Sequence, residues 1–211
     1  MVMKFIRSFL ILIFAFTSIS YSHADKLAHL RTNKKIVTMA SINAPYFTIQ
    51  IVALRLPPGE PEFFRDVDKV YEYVCNDGYV RYTVGRYVSF ADAAKDLSMY
   101  TARGYDDVFV LNTRKISLDK NDYQPSSNEI GPLAGVNYTV QLAAYRFPVY
   151  VNEFEEFDNV TEYYMKDRIY RYCVGLFDGS VANQELLKIR KKGYPNAFLV
   201  PLEKYRPFKI E

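Results

Sequence analysis

The chain has 211 residues, enough for one large or two small domains, and its 27 basic and 24 acidic side chains nearly balance. Apolar residues make up 49% of it, which is ordinary for a folded globular protein, and tyrosine is abundant, with 19 copies. The small net charge of +3 argues against a nucleic-acid-binding protein, because that activity depends on neutralising many phosphates.

The first 24 residues have the pattern of a secretory signal peptide. Lys4 and Arg7 precede the apolar run Phe9–Ile19, and Ser22 and Ala24 are small residues before the expected cleavage point. An uncleaved anchor is the alternative, but a membrane span needs about 20 apolar residues and this run has roughly half of that. We therefore expect an exported protein with no transmembrane segment after cleavage, which leaves 25 basic against 24 acidic residues.

Residues 25–43, which we call the leader, show no pattern that predicts a helix or a strand. The rest of the chain contains two similar copies of one sequence unit. The segment "DKVYEYVCNDGYVRYTVG" (68–85) aligns without a gap with "DNVTEYYMKDRIYRYCVG" (158–175). Upstream, "YFTIQIVALR" (46–55) aligns with "NYTVQLAAYR" (137–146). The mature chain thus divides into a first unit, a polar linker, a second unit and a tail, at residues 44–113, 114–135, 136–205 and 206–211.

Each unit is predicted to be an α+β fold of the order βαββαβ, as in ferredoxin-like and RNP-like domains. Four strands would form an antiparallel sheet with the helices on one face. The first helix has a weak pattern, consistent with only one or two turns. The second is predicted to begin after Ser89, a favourable N-cap, to bury Ala93 and Leu97, and to end at Gly104. The second unit repeats this spacing at Ala182, Leu186, Ile189 and Gly193.

The middle two strands of each unit are predicted to form a hairpin. In the first unit, Asn76-Asp77-Gly78 is a strong turn signal, because glycine readily adopts a positive φ. The second unit has Lys166-Asp167-Arg168 at this place, without glycine, which predicts a different turn.

The two cysteines occupy places that are not equivalent in the two units. Cys75 aligns with Met165, and Cys173 aligns with Thr83. Because an exported protein can form disulfides, a bridge that staples one unit to the other is one interpretation. Two thiols packed within strands are the other, and the lack of equivalence favours it.

Strand alternation predicts which side chains share a face of each sheet. Val80, Tyr82 and Val84 should face the helices, which places Arg81 and its counterpart in the second unit on the opposite, uncovered face. Gln50 and Gln141 should lie on that face as well. Aromatic, amide and guanidinium side chains suit a sugar chain, although an ordinary solvated sheet face has a similar composition.

Each unit resembles the SPOR (sporulation-related repeat) domain. The motifs of that family are Val-Gln-x-Gly/Ala in the first strand, Arg-x-x-x-Gly in the third, then Ala-x-x-x-Leu, and Gly-Tyr before the last strand. This chain has "IQIVA" and "VQLAA", "RYTVG" and "RYCVG", Ala93/Leu97 and Ala182/Leu186, and "GYDDVFV" and "GYPNAFL". The likeness covers roughly residues 44–112 and 136–202.

The resemblance implies non-catalytic binding of peptidoglycan across the sheet face in the bacterial periplasm, in particular of glycan strands that lack stem peptides. Removal of the stem peptide frees the lactyl carboxylate of the muramic sugar, which gives an arginine a charged partner. The binding positions of the family fall on Gln50, Tyr79, Arg81 and Phe109 in the first unit, and on Gln141, Ile169, Arg171 and Phe198 in the second. Ile169 stands where members have an aromatic residue, which favours weaker binding or a structural role for the second unit.

Other functions have less support in the sequence. The only histidines are His23, which cleavage would remove, and His29 in the leader, so no Ser/His/Asp or Cys/His set can be assembled. No metal-ligand spacing is present, and neither a cofactor nor an enzymatic activity is expected. An envelope protein–protein interaction module that uses the same sheet face or the edge strands is the main alternative. RNA binding, known for this topology, is disfavoured by export and by the near-neutral mature charge.

Overall fold

The computed structural model describes residues 25–119 and 131–210, and there the chain is an α+β structure with few helices. The strands of the described part form one mostly antiparallel sheet. They are β1 Lys35–Thr38, β2 Phe47–Leu54, β3 Lys69–Val74, β4 Val80–Tyr87, β5 Phe109–Asn112, β6 Asn137–Tyr145, β7 Val160–Tyr164, β8 Tyr170–Asp178 and β9 Phe198–Pro201. The helices are α1 Phe90–Lys95, α2 Leu97–Ala102, α3 Gly179–Lys191 and α4 Leu202–Tyr205.

The two halves of the sheet have the same strand order, and the leader joins them. The first half has the order β5-β2-β4-β3, and the second has β9-β6-β8-β7. Strand β1 runs parallel to β3, with Ile36 opposite Val70, and antiparallel to the end of β6, with Val37 opposite Tyr145. Instead of the two separate four-stranded sheets that the sequence predicted, the described chain therefore has one continuous sheet.

A separate hydrophobic core lies on the helical face of each half. In the first half Val80, Tyr82 and Val84 are buried in it, as strand alternation predicted, together with Ala93 of α1 and Tyr100 of α2. The core of the second half is formed mainly by Val140, Leu142, Val149, Phe154, Tyr170, Tyr172, Leu186 and Ile189. The predicted helical face of α3 is thereby confirmed.

Apart from α3, the helical segments of the two halves are shorter than a regular βαββαβ unit requires. The first helix of each half is a single 3₁₀ turn, at Pro61–Phe63 and Val151–Glu153. Ser89 caps the helical segment that follows β4, since its hydroxyl accepts the N–H of Asp92 at 3.1 Å. That segment is divided into α1 and α2 at Asp96.

The two hairpin turns have the same backbone conformation despite their different sequences. Gly78 has φ 79° and Arg168 has φ 63°, so an arginine occupies the left-handed region that glycine occupies in the first half. Asp77 and Asp167 each accept the N–H of the residue two positions later, at 3.1 Å. The prediction of a different second turn was wrong, because the aspartate that organises the turn is present in both halves.

The repeated glycine of β4 and β8 is required by the backbone. Gly85 and Gly175 have φ of 66° and 76°, which side-chain-bearing residues rarely adopt. A β-carbon at either position would also collide with the ring two residues later, of Tyr87 or Phe177. The local backbone conformation therefore explains why both units have glycine at this position.

The sheet face opposite the helices is not bare, contrary to the expectation from the sequence. In each half the segment after the last strand runs to the outer edge of the hairpin. In the first half it carries Leu118, which bridges to Cys75. In the second half α4 and the 3₁₀ turn Arg206–Phe208 lead to Lys209, which bridges to Tyr163. A third buried cluster, Tyr163, Met165, Cys173, Val200 and Tyr205, lies beneath this second crossing segment.

The cysteines are free thiols, and both are buried. They lie in different halves of the sheet, which agrees with the interpretation of two strand-packing thiols. The predicted signal peptide and residues 120–130 of the predicted linker lie outside the described residues. Within 25–119 and 131–210, no helix is both long enough and apolar enough to cross a membrane.

Candidate binding surface

The structure brings the predicted binding residues of the first half onto one face of the sheet. Gln50 of β2 lies between Thr83 of β4 and Phe109 of β5, directly opposite each. Arg81 lies opposite Ala53, and directly opposed residues of antiparallel strands point to the same side. We call Gln50, Arg55, Tyr79, Arg81 and Phe109 the β2–β4 surface.

Tyr79 lies between two guanidinium groups at the end of this surface. The guanidinium carbon of Arg55 is 4.9 Å from the centre of the Tyr79 ring, and that of Arg81 is 5.9 Å from it. Arg55 also donates a hydrogen bond to the Tyr79 hydroxyl at 3.3 Å. Because Arg55 is exposed while its side chain is positioned by this contact, the end of the surface presents a cation and an aromatic ring together.

Arg81 has a structural partner that the sequence analysis did not identify. Its two terminal nitrogens donate to both carboxylate oxygens of Asp77, at 3.0 and 2.6 Å. Arg171 and Asp167 make the same two-bond contact in the second half, at 2.9 and 2.5 Å. The hydrogen bonds from Arg81 lower the pKa of the Asp77 carboxyl, so it remains ionised near neutral pH. The repeated arginine thus clamps the hairpin turn in both halves.

In the second half the equivalent residues are largely inaccessible. Arg171 is only 4% exposed, and Gln141 and Ile169 are buried as well. Phe198 packs as a partly buried residue against the cluster that contains Tyr205. The position of α4 explains this difference, because Tyr205 is itself fully buried and covers this face. Any ligand that binds the face of the folded molecule therefore has better access in the first half.

The two repeated glutamines differ in their hydrogen bonding. The Tyr205 hydroxyl donates to the Gln141 side-chain oxygen at 2.6 Å, so this buried amide oxygen is satisfied. Gln50 is 9% exposed, and its side-chain oxygen has no hydrogen-bond partner among the described residues. A buried acceptor without a donor is unfavourable by about 1–3 kcal/mol, so the first half lacks a stabilising contact that Tyr205 provides in the second half.

A cleft of about 550 Å³ opens beside this glutamine at the edge of the sheet. Its floor is the second half of β2, and it is lined by Phe63 of the 3₁₀ turn and by the turn Gly104–Asp107 that leads into β5. Phe109 lines it as well, with 46% of the residue exposed. Aromatic rings and carboxylates are therefore close to the unpartnered amide of Gln50.

Sequence reasoning missed several residues that define this surface. Arg55 was a detectable candidate, because it aligns with Arg146 at the end of the first strand of each unit. Tyr205 gave no such signal, because it lies 64 positions after Gln141, the residue to which its hydroxyl donates. Compared with known proteins, the chain matches no protein-family model, no curated protein and no solved structure.

Proposed function

We propose that this chain is a non-catalytic peptidoglycan-binding protein of the bacterial periplasm, and that the β2–β4 surface of its first half holds glycan strands that lack stem peptides. The observation that carries the proposal is the grouping of Arg55, Tyr79 and Phe109 around Gln50 on one face of the sheet, where Arg55 and Phe109 are exposed. We interpret the two halves as diverged copies of a SPOR-like βαββαβ unit. The shared strand order and the shared turn clamps support that interpretation.

The chemistry of the surface suits an acidic sugar chain. The exposed ring of Phe109 offers an apolar plane for the C–H face of a pyranose. The lactyl carboxylate of a stripped muramic residue can pair with a guanidinium. Arg55 suits this role better than Arg81, whose terminal nitrogens already bind Asp77.

The second half has a structural role in this proposal. Its glutamine and arginine are satisfied within the protein, by Tyr205 and Asp167. Ile169, which stands where the family has an aromatic residue, is buried at 2% exposure and offers no stacking surface. The alternative function, protein binding at the sheet face or edge, is supported by a different feature, the edge of β2 that continues beyond its pairing with β5.

Binding to purified peptidoglycan sacculi tests the proposal. We expect Arg55→Ala and Tyr79→Ala each to weaken retention by roughly tenfold, a typical loss for a residue central to binding. Retention of the wild-type protein should rise after an amidase removes the stem peptides, because this exposes the carboxylate that Arg55 would bind.

The matched controls are exposed residues of the second half. Arg206→Ala and Tyr164→Ala remove the same two side-chain types away from the surface, and should leave retention unchanged. Circular dichroism verifies that all four variants are folded. Equal retention of the Arg55 and Tyr79 variants and the wild type, or no gain after amidase treatment, would contradict glycan binding by this surface.

A further inference from the structure

At the edge of β2 beyond β5, the two halves differ in strand pairing. Strand β5 pairs with β2 only as far as Gln50, while β2 continues to Leu54. In the second half, β9 likewise pairs with β6 only as far as Gln141. Beyond that point β1 takes over the edge of β6, with Val37 opposite Tyr145. Within the described ranges, no strand takes the corresponding place on β2.

The residues at the end of β2 are exposed, whereas the residues that align with them in the second half pack against other parts of the chain. The backbone N–H of Arg146 donates to the Ile36 carbonyl of β1 at 3.0 Å, and Phe147 packs against the core of the first half. Their counterparts, Arg55 and Leu56, are exposed, and Leu56 has 78% of its surface open to solvent. A strand edge beside a bare leucine is a common site for an added strand.

The charges along this edge define the direction of an added strand. Arg55 lies at one end, and Asp106 and Asp107 line the cleft at the other end. In the second half the leader runs antiparallel to β6, from Ile36 beside Arg146 towards Asn43, whose amide nitrogen is 3.4 Å from the Asn196 oxygen. A segment that follows the same path on β2 would meet Arg55 with its N-terminal part and the two aspartates with its C-terminal part.

We propose that the edge of β2 from Ile51 to Leu54, with the adjoining Arg55, binds an extended segment of another protein by strand addition, antiparallel to β2. The segment carries acidic residues first, then β-branched apolar residues, then basic residues. The cleft favours a single strand over the edge of a second copy, because Phe63 and the turn Gly104–Asp107 line it together with the edge of β2. This inference does not depend on glycan binding.

Two eight-residue peptides with identical composition test the proposal. The first, Glu-Glu-Ile-Val-Thr-Val-Lys-Lys, has the favoured charge order, and the second, Lys-Lys-Ile-Val-Thr-Val-Glu-Glu, has the charges exchanged. With fluorescently labelled peptides and the full chain, we expect the first to bind at least about tenfold more tightly than the second, since like charges would oppose the second peptide at both ends. Hydrogen exchange should slow at the backbone amides of Val52 to Arg55 on binding.

A variant of the protein with exchanged charges tests whether these three side chains determine the preference between the peptides. Arg55→Glu combined with Asp106→Lys and Asp107→Lys should invert the preference between the peptides. Glu203→Lys, an exposed change in the second half, should preserve it. Binding of neither peptide, or an unchanged preference in the triple variant, would overturn the proposal.

Two further results would also overturn it. One is protection at β1 in place of β2, which would mean that the peptide displaces the leader. The other is a β2-dependent dimer of the chain in sedimentation velocity, which would make a second copy the occupant. Asp106→Lys with Asp107→Lys but with Arg55 intact separates the two functions, because it should weaken the first peptide and leave retention on sacculi undiminished.

Discussion

At the residue scale, the side chains that the two halves share are explained first by what they do inside the fold. Arg81 and Arg171 clamp an aspartate of the preceding turn. Gly85 and Gly175 provide a positive φ next to a ring. Where the halves differ, a shared residue can lack its internal partner, as with the amide oxygen of Gln50 among the described residues.

The cysteines allow a prediction at the same scale. Burial raises the pKa of the Cys173 thiol strongly, and it raises that of Cys75 as well, against the effect of a hydrogen bond with Arg81. Because the thiolate is the reactive form, we expect both thiols of the native protein to react with Ellman's reagent roughly 100-fold more slowly than after unfolding. Cys75 should react before Cys173. Rapid modification of either thiol in the native state would contradict the packing described for the strands.

At the element scale, most of the local structure could be predicted from the sequence, but the contacts between elements that are distant in sequence could not. Ser89 and the apolar spacing at Ala182, Leu186 and Ile189 specify the helix positions by neighbouring residues alone. The segments that cross the sheet face opposite the helices have no such pattern. A short stretch of mixed composition has no periodicity from which its contacts could be predicted. Their contacts, such as that of Tyr205 with Gln141, join residues far apart in sequence.

Helix α3 gives a prediction that depends on its N-cap. One carboxylate oxygen of Asp178 accepts the N–H of Ser180 at 2.9 Å, and the other accepts that of Gly135 at 2.8 Å. These bonds, those of Ser180 foremost, lower the pKa of the Asp178 carboxyl. Asp178→Ala should therefore reduce the Tm at pH 7 by about 2–4 °C, which calorimetry can measure.

The pH dependence of that difference provides the check. Because the pKa of Asp178 is lower in the folded state, its stabilising effect is complete above the unfolded value of about 3.9. The effect is lost as the pH falls through the folded value. The Tm difference between wild type and Asp178→Ala should shrink below about pH 4, and Asp178→Asn should retain more of the cap than alanine. A difference that persists undiminished at lower pH would contradict the assignment to the carboxylate.

At the scale of the whole molecule, two buried glutamates hold the sheet together. In the first half the hydroxyl of Tyr82 donates to Glu72 at 2.9 Å, and the side chain of Arg146 reaches across from the second half with bonds of 2.9 and 2.7 Å. In the second half Glu162 accepts the hydroxyl of Tyr172 and two nitrogens of Arg31 from the leader. In each half, the buried glutamate therefore pairs with an arginine from another part of the chain.

Removal of the arginine that links the halves should be costly. Glu72 is fully buried, so Arg146→Met leaves a charge without its cationic partner, and we expect a loss of about 3–5 kcal/mol in the free energy of unfolding. Arg55→Met, the aligned and exposed counterpart, should change it by less than about 0.5 kcal/mol. Urea denaturation measures both.

A double-mutant cycle completes the test. Glu72→Gln combined with Arg146→Met should lose less than the sum of the single changes, by about 1–3 kcal/mol. Additive losses would show that the two residues stabilise the fold independently. The sequence could not have predicted this pair, because Glu72 and Arg146 lie 74 positions apart and belong to different halves of the sheet.

The attachment of the leader has a consequence for the order of folding. Strand β1 and Arg31 are among the first described residues to be synthesised, yet the glutamate that Arg31 binds follows 131 positions later. Contacts of such long range raise the contact order and slow the search for the native state. We therefore expect the contact of Glu72 with Arg146 and that of Arg31 with Glu162 to form only after the C-terminal half has been synthesised.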